Sequence, residues 1–162
     1  MKTITMAVMI AILAAAPAMA DSSPAQKTFD QIKALAGTWE GKTAKGQSVK
    51  VSFRMTANGS AVMSEIMGDE DMITMFNLDG DRLLMTHYCA AGNQPRMVAA
   101  SSPDGKSVSF EFLDATNLEG PHAGHMHHVV FTMPDADHHT EEWMFREGDK
   151  TISENFDLHR VK

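Results

Sequence analysis

The 162-residue chain has one cysteine, one tyrosine, two tryptophans and an aromatic share of only 7%. With Cys89 alone, no intramolecular disulfide can form, so stability has to come from the core. Basic residues are also few, 14 against 21 acidic, for a formal charge of −7. No basic stretch offsets that balance, and non-specific binding to nucleic acid is disfavoured. After the first 20 residues no apolar run approaches the 18 or so residues of a membrane span. Catalytic signatures are scarce as well. No serine sits in a nucleophile-elbow context, no glycine-rich phosphate loop is present, and no carboxylate pair has a diagnostic spacing. No catalytic residue is therefore assigned and an enzyme is not expected; the weakest of three readings is a hydrolase or isomerase built on acid–base chemistry at His87.

What is present falls into two parts. Residues 1–20 begin with Lys2, continue in an apolar run from Met6 to Ala16, and end with Ala18 and Ala20 placed −3 and −1 to Asp21. That is the layout of a cleaved secretory signal peptide, and it predicts an exported, periplasmic or secreted protein. Four of the 14 methionines belong to this leader, and the remaining 142 residues suit one domain with a real core.

From Ser23 to Ala36 the pattern is helical, with Pro24 in the first turn, Phe29, Ile32, Leu35 and Ala36 at helical spacing, and Gly37 as the stop. Everything after Gly37 reads as strands. Val49, Val51, Phe53 and Met55 alternate with Lys50, Ser52 and Arg54, the period of a half-buried strand. Asn58-Gly59, Asp79-Gly80 and Asp104-Gly105 predict tight two-residue turns, while 134–138 and 147–150 predict longer ones. Ten strands result, at roughly 38–43, 49–56, 61–67, 71–78, 82–89, 96–101, 107–113, 126–133, 139–146 and 151–161. One helix followed by a ten-strand meander predicts a single domain over 21–162, an all-β closed up-and-down antiparallel barrel, because closure removes exposed edges.

Turn lengths then assign the inward face. An Asp79-Gly80 turn sets Phe76 opposite Leu83, Thr74 opposite Met85 and Met72 opposite His87. A five-residue loop at 134–138 sets Phe131 opposite Glu141, Val129 opposite Trp143 and His127 opposite Phe145. A loop at 147–150 sets Phe145 opposite Ile152 and Trp143 opposite Glu154, with Phe156, Leu158 and Arg160 on the same side. The interior is thus apolar, with His87, His127, Glu141, Glu154 and Arg160 as isolated polar groups, and Cys89 placed beside His87. A ten-strand barrel is wide enough to enclose a cavity. Apolar walls with a few placed polar groups describe a small-molecule pocket. His87, Arg96, Trp143, Glu154 and Arg160 are the candidate ligand-binding residues, with Arg96, in Asn93-Gln94-Pro95-Arg96, near the mouth.

Leu35-Ala36-Gly37-Thr38-Trp39-Glu40-Gly41, a short helix leading into the first strand, resembles the opening of the calycin-like barrels: lipocalins, fatty-acid-binding proteins and nitrobindin-type proteins. That resemblance implies that Trp39 packs at a closed barrel end against a late arginine, and Arg160 is the matching residue. Both are then structural, through a cation over an indole face. The stretches 87–96 and 140–143 resemble uncharacterised bacterial exported proteins of the DUF1579 type. Nitrobindin-type barrels hold haem through a histidine near the C-terminus. His159 invites that comparison, but alternation points it outward and its flanks differ from that family's closing motif, so haem is not expected.

Six of the eight histidines lie between His122 and His139. His125, His127 and His139 are the candidate metal ligands, for copper beside thioether or zinc beside carboxylate. The principal expectation is an exported barrel that binds one small apolar or amphipathic molecule without catalysis and without an obligatory cofactor. The alternative is a periplasmic copper- or zinc-binding protein using His125 and His127. The sequence sets neither the ligand nor the oligomeric state.

Overall fold

A computed structural model describes residues 22–68, 70–102 and 105–162. The expected leader, residues 1–20, and Asp104 of the third expected turn lie outside the described residues. One helix, α1 (Pro24–Ala34), precedes ten strands: β1 (Gly37–Thr43), β2 (Ser48–Thr56), β3 (Ala61–Met67), β4 (Met72–Asp79), β5 (Arg82–Tyr88), β6 (Gln94–Ser101), β7 (Ser107–Thr116), β8 (His125–Thr132), β9 (His138–Glu147) and β10 (Lys150–Arg160). Each strand pairs antiparallel with its sequence neighbours, and β1 also pairs with β10, so the sheet is a closed barrel as expected. Among the described residues no helix is long and apolar enough to cross a membrane.

The Ser23 hydroxyl accepts a hydrogen bond from the Gln26 N–H at 3.2 Å, capping α1 while Pro24 occupies its first turn. The helix ends at Ala34, two residues earlier than expected, and Gly37 opens β1 instead of stopping the helix. Phe29, Ile32 and Leu35 are buried where α1 lies across the ends of β2, β4, β5 and β6. This closes one mouth of the barrel.

Trp39 and Arg160 seal the same end. The Trp39 Nε1–H donates to the Leu35 carbonyl at 2.7 Å, and the Arg160 guanidinium lies 4.1 Å above the indole centroid. Arg160 also donates to three carbonyls: Ala34 at 3.0 Å, Ala36 at 2.7 Å and Ala136 at 2.9 Å. Gly37, at φ +135°, is the residue over which the guanidinium passes; a Cβ there would stand 2.8 Å from Arg160 Nη1. Gly41 has a different reason. A Cβ at that position would come within 1.7 Å of the Asp157 carbonyl oxygen, so glycine lets β1 and β10 approach.

Above the seal, the interior is packed with rings. Phe53, Phe76, Phe110 and Phe131 contact one another edge-on or tilted, with centroids 5.5–6.4 Å apart. Trp39, Met85, Met97 and Leu158 complete this plug without solvent exposure. Half of the barrel is therefore solid.

Four details of register depart from expectation. The β4–β5 turn is Gly80-Asp81, since Asp79 pairs with Arg82, and the pairs move to Phe76↔Met85 and Thr74↔His87. The inward face is unchanged because the shift is two residues. The 57–60 turn has four residues, with Asn58 at φ 55°, instead of a two-residue Asn58-Gly59 turn. Glu147 pairs with Lys150, so the last hairpin turns on Gly148-Asp149, while Trp143↔Glu154 and Phe145↔Ile152 hold as expected. A bulge between Met126 and His128 puts Met126, not His127, opposite Phe145, although Val129↔Trp143 and Phe131↔Glu141 are as expected.

Candidate functional site: a half-hollow barrel

The other half of the barrel is hollow. A cavity of about 390 Å³ lies at the end away from α1, within the range of small-molecule pockets. Ile66, Met72, Met126, Phe145 and Phe156 supply apolar walls, and the Trp143 ring closes the cavity toward the plug. Glu70, His87, Cys89 and Glu154 are its polar lining.

Strand alternation delivers these groups. On β5, Leu83, Met85 and His87 share the inward face, and all three are buried. The His87 Nδ1 is 2.9 Å from the Thr74 hydroxyl on β4, and its ring lies 4.8 Å from Trp143. Its Nε2 is buried with no partner. Burial pushes the imidazole down to about 4, so His87 is neutral at physiological pH. Glu154 carries a second orphan. Its Oε2 lies 3.4 Å from Lys45 at the rim, while Oε1 is buried and unpaired.

The neutral imidazole has a measurable consequence. Below its ordinary pKa of 6.5 the unfolded chain takes up a proton that the folded chain refuses until about pH 4. Stability present above pH 6.5 is thus lost as pH falls through that window, by on the order of 3 kcal/mol if the whole shift is expressed. Urea unfolding of wild type and His87→Gln at pH 7.5 and 4.5 checks this. The wild type is expected to lose more stability than the variant; equal losses would show that His87 protonates freely in the fold.

Beneath His87 runs a buried polar chain along β9. His139, Glu141 and Trp143 occupy alternate positions and are all but inaccessible. The Trp143 Nε1–H donates to Glu141 Oε2 at 2.8 Å, and His139 Nε2 is 3.1 Å from Glu141 Oε1. With the proton on Nε2, His139 donates to the carboxyl and leaves Nδ1, which has no partner, as a bare acceptor. An unpaired acceptor is the less costly orphan.

Several expected site residues lie elsewhere. Arg96 points outward, donating from Nε to Asp114 Oδ1 at 2.6 Å and pairing with the other oxygen as well, so it does not line the cavity. Strand alternation puts buried Met97 inside and leaves Arg96 exposed, and the register shift beside them leaves Leu113 of β7 as the extra residue. Asn93, from the same segment, donates to the Gly124 carbonyl at 2.8 Å and ties the 89–93 loop to the 117–124 loop. Arg160 is at the closed end, with its donors committed to backbone carbonyls, and does not line the cavity.

His125, His127 and His139 do not converge. His125 pairs with Arg146 at one end of β9, whereas His139 pairs with Leu158 near the other. His125 and His127 also spend their nitrogens on hydrogen bonds. His125 Nδ1 contacts the Ala123 carbonyl at 2.8 Å, His125 Nε2 meets His127 Nδ1 at 3.3 Å, and Arg146 stands 3.4 Å from His127 Nε2. The consistent assignment has His125 donating to Ala123, His127 donating to His125 and Arg146 donating to His127, which occupies both lone pairs. Burial, then the Arg146 charge, holds His127 below its ordinary pKa. His159 is exposed on the outer face, where no haem inside the barrel could reach it.

Thr74, Glu70, Met126 and Phe145 were not among the expected site residues. Phe145 and Met72 were legible as inward positions, whereas Met126 enters the lining only through the bulge. Cys89 lines the cavity, and burial raises its thiol above the ordinary value.

No family model matches the chain, and no curated protein does. Solved structures share its fold. Rv2717c from M. tuberculosis aligns over 88% of this chain and 100% of its own length, with 15% identity and a TM-score of 0.57. A protein of unknown function of the DUF3598 family, from Nostoc punctiforme, aligns over 81% of this chain and 49% of its own, with 12% identity and a TM-score of 0.54. At these identities the likeness is one of fold alone, a closed antiparallel barrel, which here has ten strands.

Proposed function

We propose that this chain is an exported barrel that holds one small, largely apolar molecule without transforming it. The observation that carries the reading is the pair of unpaired buried atoms, His87 Nε2 and Glu154 Oε1, among walls that are otherwise apolar. A buried polar atom without a partner is costly, and a ligand bearing a hydrogen-bonding end would satisfy it. The volume suits a molecule of roughly one to three fused rings or a short acyl chain. Binding without turnover is favoured by the state of the two reactive side chains. His87 is held neutral, so it is a poor proton donor at neutral pH, and Cys89 is held as the less reactive thiol. The leader layout of residues 1–20 is what supports export.

The test is titration with N-phenyl-1-naphthylamine, a neutral dye that brightens in apolar surroundings. One dye per chain is expected, with Trp143→Ala binding at least tenfold more weakly. Because Trp143 also holds Glu141, a second variant, Met72→Trp, fills the chamber without touching that contact and is expected to abolish uptake. Dye binding that both variants leave unchanged would place the dye elsewhere and remove the proposal.

A further inference from the structure

On the outer face of the β9–β10 ladder, away from the cavity, three metal-ligating side chains converge. His138 and His159 are direct cross-strand partners, and their rings stack at 4.6 Å and 11°. Asp157 precedes His159 by two residues, so alternation brings it to the same face. Its Oδ1 is 2.8 Å from His138 Nε2 and 3.6 Å from His159 Nε2, and one ligand atom from each of the three lies within 4.8 Å of the others.

We propose that His138, Asp157 and His159 form a divalent transition-metal site, suited to zinc. Two ligands about 2.1 Å from a tetrahedral ion stand about 3.4 Å apart, close to the separations seen, and the two rings turn out of their parallel stack to aim both Nε2 lone pairs at one ion. Two imidazoles with one carboxylate are a ligand set that zinc accepts, and the fourth position falls to water. Glu40, opposite His159 on β1, is exposed but paired with Lys50 at 3.3 Å and lies outside the three-ligand group. The contrast with His125 and His127 is chemical. Those two rings have their free lone pairs covered, one of them by Arg146, whereas His138 and His159 both turn Nε2 toward a carboxylate. An ion here would clamp β9 to β10 where β10 also closes onto β1.

Calorimetric titration of zinc chloride into the chelator-treated, dialysed protein tests the site. One zinc per chain is expected. His159→Ala and Asp157→Asn are each expected to weaken binding tenfold or more, and the double variant His125→Gln/His127→Gln to bind as wild type. Cobalt(II) gives a second readout, a visible d–d spectrum that His159→Ala removes. His159 and Asp157 are exposed, His125 is buried and His127 half-buried, and circular dichroism verifies that each variant is folded. Absence of saturation by about 100 µM zinc, binding that survives His159→Ala, or binding lost in the His125/His127 variant would each overturn the assignment.

Discussion

Glu141→Ala is expected to cost about 3–5 kcal/mol of folding stability, read as a fall in the urea midpoint with little change in slope. The residue sits 1% exposed in the barrel and accepts from Trp143, with His139 on its other oxygen. Truncation leaves two buried donors facing a void. Each orphan costs about 1–3 kcal/mol, and the vacated volume adds to that. Glu141→Gln separates the contributions. An amide keeps one acceptor oxygen but turns an NH₂ group toward the second donor, so an intermediate loss of about 1–2 kcal/mol is expected. Replacing the whole set, as His139→Leu/Glu141→Leu/Trp143→Phe, is expected to recover part of the loss, because apolar groups leave no orphan. If Glu141→Ala costs less than about 1 kcal/mol, water reaches the site and the chain along β9 is not dry.

Trp39→Ala is the second large effect, about 3–5 kcal/mol. The indole is fully buried, touches the His139 ring edge-on at 4.3 Å, and carries the Arg160 guanidinium on its face. Its loss removes aromatic volume, the hydrogen bond to Leu35, and the surface on which Arg160 rests. In a domain whose total stability is about 5–15 kcal/mol, the variant is expected to be marginal at 37 °C. Arg160→Lys tests the same seal from outside. Lysine cannot reproduce a planar fork to three carbonyls, so a smaller but clear loss of about 1–3 kcal/mol is expected by thermal unfolding. A Trp39→Ala protein as stable as wild type would mean that α1, not Trp39, closes the barrel.

Much of this architecture was legible in the residues. Alternation and turn chemistry gave the strand count, and the last two hairpins were placed in register because apolar faces match only at certain loop lengths. The inward positions of His87, Trp143 and Glu154 follow from that parity alone, and parity survived even where the β4–β5 turn moved by one residue. Bulges were not legible. The one at Met126/His128 carries no glycine or proline to mark it, and it exchanges Met126 for His127 in the pairing with Phe145. Clustering along the chain misled in the same region: six histidines close in sequence are distributed over an outer ladder, a hydrogen-bonded loop end and the dry core. The set that does converge, His138, Asp157 and His159, joins residues 19 and 21 positions apart and needs the β9–β10 register to be seen. Arg96 shows the opposite error, since a segment that looks like a rim is bound to its neighbour through Asp114.

Native mass spectrometry of the protein purified from its own cells, without detergent or denaturant, is the most direct measurement of the cavity's role. The expected spectrum shows the chain plus one small organic molecule, released by collisional activation and missing from Met72→Trp, whose chamber is filled. A spectrum of bare chain alone, from a protein that also fails to take up N-phenyl-1-naphthylamine, would contradict the account and leave the barrel an empty scaffold.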